Sequence, residues 1–198
     1  MPKRAPAATI TGVNVYLRPP RRSDAVAFHA AVRASVTLHR GWTHAPGTRA
    51  GFAKFVQRYA ARGKHPSHAG FLVFRRHDDA LVGVYNFSEI VRGAFQSAFL
   101  GYFAFAPMAG QGLMSEGLAA ALDIAFRRLG LHRVEVNIQP TNARSLALAT
   151  RVGFTREGYS RRYVKISGRW RDHVRFAMLA EDWRTLRHKY RFERKEPD

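Results

Sequence analysis

From Phe103 the chain passes Ala106-Pro107-Met108-Ala109, then Gly110-Gln111-Gly112-Leu113-Met114-Ser115-Glu116, and continues into an apolar segment of helical period. A strand that runs through a glycine-bearing loop into a helix can bind phosphate. The glycines let backbone approach an anion, and the unpaired N–H groups of the first helical turn, at the positive end of the dipole, point at it. A glycine turn before a helix is also the ordinary connector between two elements, so the loop alone leaves both readings open. Glu116, one turn into that helix, is explained by the same dipole. His65 and His68 flank Pro66 in a loop without a third ligand, which argues against a metal site. His173, beside Asp172 in an apolar run, reads either as a catalytic group or as an edge or core histidine. Trp42, Trp170 and Trp183 read as packing residues.

The elements around these residues are legible from periodicity. Residues 13–18 read as a short strand ended by Pro19-Pro20, and Ser23 or Asp24 can cap a helix reaching Val36. Thr48 can cap a second helix with Phe52, Phe55, Val56 and Tyr59 on one face. Residues 70–74 and 81–87 form a hairpin across His77-Asp78-Asp79, and 98–106 is a third β run ended by Pro107. Leu113 to Leu129 is a long amphipathic helix closed by Gly130, followed by a strand at 133–138. Asn142 to Val152 reads as a helix stopped by Gly153. Two strands, 159–166 and 170–179, flank Ser167-Gly168, and 181–192 reads as a basic helix. The order is α+β with a β-α-β unit at its centre. The expected organisation is a basic flexible tail at 1–9, one domain at 10–183 and a basic C-terminal helix or tail at 184–198, frayed from 193.

Two segments in this order, the glycine loop and Asn142-x-x-Ser145-x-x-Leu148 ending at Gly153-Phe154, resemble the GNAT acetyltransferase family. The likeness extends from Leu17-Arg18-Pro19 to Trp183. Within it the chain is similar to the RimJ/RimL branch, the N-terminal acetyltransferases of ribosomal proteins, and nearer RimJ. That likeness rests on Arg92-Gly93-x-Phe95, Leu100-Gly101-Tyr102, the loop through Glu116, Pro140-x-Asn142, Gly153-Phe154-x-x-Glu157-Gly158-Tyr159 and Gly168-x-Trp170-Arg171-Asp172-His173. The resemblance implies the GNAT fold, a mixed, mostly antiparallel sheet of about seven strands flanked by helices, and acetyl-CoA as acetyl donor. It implies that Gly110, Gln111, Gly112, Leu113, Met114 and Ser115 cradle the pyrophosphate, and that Asn142 and Ser145 meet the pantetheine arm. The main chain of Phe103 and Phe105 would follow that arm in a splayed strand, with the Phe105 N–H facing the thioester oxygen. Two positions depart from the family loop: Ala109 stands where Gln or Arg is common, and Met114 where Gly or Ala is common.

Transfer of acetyl to an amine needs a neutral amine, a donor for the oxyanion and a proton for the leaving thiolate. Many family members supply the proton from a tyrosine where this chain has Ala149, so the resemblance passes that role to Ser145. A helix-initial serine serving the backbone is the alternative. Glu89 is the carboxylate best placed to act as base, since alternate residues of its strand would face the acceptor cleft. A surface charge paired with Arg92 is its other reading. An α-amine, with a reference pKa of about 7.7–8.0, is in any case partly neutral at physiological pH.

Composition bounds the rest. The absence of cysteine excludes a disulfide framework, a thiolate metal cluster and a cysteine relay. No run of about 18 apolar residues and no leader-like N-terminus is present, so a soluble, cytoplasmic protein with no membrane segment is expected. Lys and Arg number 33 against 14 Asp and Glu, a net charge of +19. That charge suits RNA, a ribosome or an anionic cofactor, or reflects arginine-rich codon usage; no KH or RRM fingerprint accompanies it. The expected partner is a protein N-terminus, with ribosome or RNA association through the basic surface. The alternatives are a small-molecule amine, or an inactive RNA-associated binding protein.

Overall fold

The computed structural model describes residues 9–59 and 66–193, so the expected N-terminal tail is described only at Thr9 and His65 lies outside the described residues. The elements are β1 (Ile10–Thr11), β2 (Val15–Arg18), α1 (Ala25–Ala34), α2 (Val36–His39), α3 (Arg49–Tyr59), β3 (Ala69–Arg75), β4 (Leu81–Val91) and β5 (Ser97–Ala104). They continue as α4 (Leu113–Arg127), β6 (Arg133–Ile138), α5 (Ala143–Val152), β7 (Thr155–Ile166), β8 (Arg169–Leu179) and α6 (Ala180–Leu186). Among the described residues one sheet of eight strands has the order β1-β2-β3-β4-β5-β6-β8-β7, and of its neighbouring pairs only β5–β6 is parallel. The strand beyond the expected seven is the two-residue β1, too short to leave a periodic signal.

Period-two alternation splits the core between the two sheet faces. Phe71, Val73, Tyr85 and Phe87 face α4, α5 and α6, where Leu118, Leu122, Val152 and Trp183 pack. Leu72, Phe74 and Val84 face the opposite layer, with Phe28 of α1 and Phe52, Phe55 and Val56 of α3. Each fully buried Phe or Leu contributes about 1.5–3 kcal/mol by leaving water.

The first helix differs from its expected form in a way that matters to the site. Asp24 does not cap α1 through its side chain. Its carboxylate instead accepts from the Arg21 N–H (2.7 Å) and pairs with the buried Arg18 guanidinium through two bonds of 2.6 and 2.8 Å. The helix ends at Ala34, two residues short of Val36, and breaks at Ser35. That buried hydroxyl donates to the Ala31 carbonyl (2.6 Å) and accepts from the Ala106 N–H (2.8 Å), tying the α1–α2 junction to the end of β5. Thr48 caps α3 as expected, its hydroxyl accepting from the Gly51 N–H at 3.1 Å.

The final helix is shorter than 181–192. It ends at Leu186, with one 3-10 turn (Arg187–Lys189) beyond it. The segment stays against the domain: Arg187 pairs with the buried Asp123 of α4 at 2.5 Å, Tyr190 stacks on Trp183, and Glu193 exchanges backbone bonds with Thr11. Of the tryptophans, Trp183 is buried, Trp42 is half-buried against a cleft, and Trp170 is 59% exposed rather than packed.

Candidate active site

β5 and β6 pair only through Ser97–Arg133, Ala98–Val134 and Phe99–Glu135, and then separate. β5 remains paired to β4 through Ala104, and the Phe105 N–H continues that ladder by donating to the Val82 carbonyl at 2.8 Å. Main-chain groups alternate along a strand, so those of Phe103 and Phe105 face β4 while those of Leu100, Tyr102 and Ala104 face the gap. His39 of α2 agrees with this direction, bonding the Ala104 carbonyl on its side away from β4 at 2.8 Å. Phe105 is therefore not the free donor the sequence suggested: its N–H is taken, and its ring is buried edge-on to Phe28. The N–H groups open to a ligand belong to the alternate residues, Tyr102 and Ala104.

The splay widens into a cleft of about 1550 Å3. One end is the glycine loop. Gly110 (φ +83°) and Gly112 (φ +78°) hold left-handed conformations, and each would have open space around a Cβ, so conformation alone calls for glycine. Among the described residues no protein acceptor meets the N–H groups of Gly110, Gln111, Gly112, Leu113 and Met114, and Gly112, which precedes α4, offers no side-chain cap. These five donors, at the positive end of a fifteen-residue helix, can hold a phosphate group. Arg151 of α5 reaches the Ser115 hydroxyl (3.4 Å) beside them, and Arg144 also lines the cleft. The Gln111 side chain turns outward to the Pro107 carbonyl and Arg75, and Leu113 is buried in the core, so these two offer backbone only.

Packing accounts for the methionine in the loop. A Cβ on Gly83 of β4 would lie 2.6 Å from the Met114 sulfur, so the glycine of β4 makes room for the methionine side chain. The buried Tyr85 hydroxyl donates to the Met114 carbonyl at 2.5 Å and fixes the start of α4. Glu116 is structural: its carboxylate accepts from the Asn14 N–H (2.8 Å), the Asn14 amide (3.0 Å) and the Val15 N–H (3.3 Å).

The middle of the cleft is bounded by α5. Asn142 caps the helix, its side chain accepting from the Ser145 N–H at 3.2 Å, and Gly153 (φ +101°) closes it. The Ser145 hydroxyl has no protein partner among the described residues, while its carbonyl accepts from the Tyr102 hydroxyl at 3.2 Å. Burial pushes the Tyr102 phenol well above its ordinary range. Asn137 lines the cleft with its carbonyl oxygen buried and unpartnered, an acceptor that suits an amide N–H such as those of a pantetheine arm. Asn86 carries a second such oxygen. Sequence reading missed Tyr102, Asn86 and Asn137 as polar groups of the cleft, because nothing in their spacing signals which strands part.

The far end lies between α2, α3 and the β7–β8 hairpin. His44 bonds the Ser167 hydroxyl (2.8 Å) and Gln139 donates to the Gly41 carbonyl (2.9 Å), so the 40–48 loop bridges the cleft to the hairpin tip and to the end of β6. Glu89 is not brought here. It is exposed, carries φ +49° at an irregularity of β4, and its nearest ionic partner is His68 at 3.8 Å rather than Arg92, which turns to the Leu129 carbonyl. His173 does line the cleft, 4% exposed. Among the described residues no group of three His, Cys, Asp or Glu side chains is placed to hold a metal, and no helix is long and apolar enough to cross a membrane.

Unengaged N–H groups opening a helix, set beside two parallel strands that part after three residue pairs, form a site suited to a phosphate-bearing ligand with an extended arm. The acetyltransferase (GNAT) domain profile matches residues 14–155, and the chain belongs to the GNAT family of N-acetyltransferases. The Bacillus subtilis probable N-acetyltransferase YjcK is 38% identical over 132 residues, 67% of this chain and 73% of that protein. The Escherichia coli ribosomal protein uS5 alanine N-acetyltransferase is 42% identical over 113 residues, 57% of this chain and 58% of that enzyme, so the match spans little more than half its length. Mycobacterium smegmatis RimJ, solved in complex with CoA-disulfide, superposes with a TM-score of 0.83 at 27% identity, covering 91% of each chain. The RimJ-type resemblance read from the sequence thus holds, and so does the α+β fold.

Proposed function

We propose that the protein transfers the acetyl group of acetyl-CoA to the N-terminal α-amine of a protein, a ribosomal protein being the substrate class its relatives suggest. The pyrophosphate would lie against the N–H groups of Gly110, Gly112, Leu113 and Met114 with Arg144 and Arg151 nearby. The arm would pass Asn137, Asn142 and Ser145, and the carbonyl to be attacked would meet the Tyr102 or Ala104 N–H. Ser145, whose hydroxyl is unengaged, would return a proton to the departing thiolate.

The observation that carries the acceptor assignment is the charge of the cleft. Among the described residues lining it there is no Asp or Glu, whereas Lys54, Arg58, Arg144 and Arg151 are present. A polycationic amine would meet only repulsion there; an α-amine on an otherwise neutral or acidic chain end would not. The α-amine also needs less help to deprotonate than a lysine side chain, whose reference pKa is about 10.4. The hairpin supports docking on RNA or another anionic surface: seven Arg or Lys face two acids between Arg156 and Arg175, and Arg161, Arg162, Lys165, Arg169 and Trp170 are exposed. We place this activity in the cytoplasm, where ribosomal proteins are made.

The test is release of free CoA from acetyl-CoA with peptides bearing free N-termini, with N-blocked copies and with spermidine. Turnover with free peptides alone supports the proposal; turnover with spermidine or with blocked lysine-containing peptides overturns it.

A further inference from the structure

The cleft brings one unengaged basic atom to the level of the proposed reaction. β5 and β6 run parallel with Phe99 opposite Glu135, so four residues on, Phe103 is level with Gln139. β6 and β8 run antiparallel with Ile138 opposite Val174, so Gln139 is level with His173. His173 therefore stands across the splay at the height of the Tyr102–Ala104 segment, on the wall facing the acceptor end. Its side chain is almost wholly buried, yet it lines the cleft.

The tautomer follows from its partner. Nδ1 lies 3.0 Å from the Arg171 carbonyl oxygen, which can only accept, so Nδ1 carries the hydrogen and Nε2 of the neutral ring is a bare lone pair. Among the described residues no protein donor reaches Nε2. The Tyr163 ring walls one side, 5.9 Å away between centroids. The other histidines of the cleft have Nε2 in use, His39 on the Ala104 carbonyl and His44 on the Ser167 hydroxyl. The neighbouring carboxylate of Asp172 is turned away to the Tyr159 hydroxyl and the Arg162 N–H.

We propose that His173 Nε2 accepts the proton of the acceptor amine as that amine attacks the acetyl carbonyl. The N–C bond forms and the C–S bond breaks. The amine proton passes to His173 and then to solvent, and the thiolate receives its own from Ser145 or water. Desolvation by burial, which outweighs the Arg171 carbonyl and Asp172, lowers the imidazole pKa and keeps the ring neutral at physiological pH. The assignment rests on the acetyl-transfer reading above but not on which amine is used.

The experiment compares the wild type with His173→Gln and His173→Ala, using acetyl-CoA and an alanine-led peptide. Calorimetric CoA binding checks that each variant keeps its cleft. The expected result is a fall in kcat of about a hundredfold or more with CoA affinity unchanged, and partial recovery of His173→Ala by added imidazole. Ring nitrogen NMR of the wild type reads the tautomer without any variant: Nδ1–H with bare Nε2 is expected, and a shift of Nε2 when CoA and peptide are both added. A kcat within about threefold of wild type at unchanged CoA affinity, or a ring protonated at Nε2, overturns the proposal. Absence of turnover by the wild type with every peptide would sink the peptide acceptor instead, and the ring spectrum would still decide the role of His173.

Discussion

The Tyr102 hydroxyl donates to the Ser145 carbonyl at 3.2 Å, joining β5 to the first turn of α5 across the space that opens where β6 leaves β5. This bond links the strand whose N–H groups face the gap to the helix that carries Asn142 and Ser145.

Tyr102→Phe tests whether that phenol is a strut or an acid. Its proton already points at a carbonyl, and burial holds the group far above its ordinary range. The expected cost is about 1 kcal/mol of stability, with a several-fold weaker CoA affinity and kcat within about threefold. Chemical denaturation and steady-state kinetics read both; a hundredfold loss of kcat would make Tyr102 the proton donor in place of Ser145.

Arg18→Met probes the frame behind the acceptor wall. Arg18 and Asp24 are both buried and joined by two short bonds, so removing the guanidinium strands a buried carboxylate whose remaining donor among the described residues is the Arg21 N–H. A loss of about 3–5 kcal/mol is expected in urea titration, while the double change Arg18→Met with Asp24→Leu should recover much of it. A single variant as stable as wild type would show that the pair contributes nothing net.

Most of this architecture could be read from the residues because its signals are local. Gly130 and Gly153 stop α4 and α5, Thr48 caps α3, and the apolar, β-favouring run at 70–74 marks β3. What escaped was long-range. Nothing near Ser35 announces that its hydroxyl will be called on by the Ala106 N–H, 71 residues away, and so the break in the first helix was invisible. The parity of β5 is fixed by pairing with β4, and one residue of phase separates Phe105, whose N–H is spent, from Ala104, whose groups face the gap. Glu89 failed as a base for the same kind of reason: the irregularity before Val91 and its positive φ break the alternation on which its placement depended.

Gly112→Ala should separate conformation from contact in the anion cradle. A Cβ there meets nothing, so the effect comes from φ alone, about 1 kcal/mol of strain or a shift of the loop that turns its N–H groups off the phosphate. An affinity loss for CoA on the order of tenfold is expected by calorimetry, against none for Gly47→Ala, which is equally open but needs no left-handed backbone. Equal affinities in the two variants would move the pyrophosphate elsewhere.

The pH dependence of stability and rate should carry the mark of His173. Its pKa in the folded protein lies below the ordinary value of 6.5, so at pH values between the two the unfolded chain binds more protons than the folded one. Stability therefore rises with pH across that window and declines as pH falls below about 6.5; His173→Gln should flatten this part of the slope in denaturation series at several pH values. In kinetics, the same ring should place an acid limb of kcat below the titration of the free amine. The limb of kcat/KM should lie higher, near the free peptide α-amine at about 7.7–8.0. If kcat fell with an apparent pKa near that of the amine and His173→Gln kept the same profile, the amine would be losing its proton to water, and the histidine would be a wall of the cleft and no more.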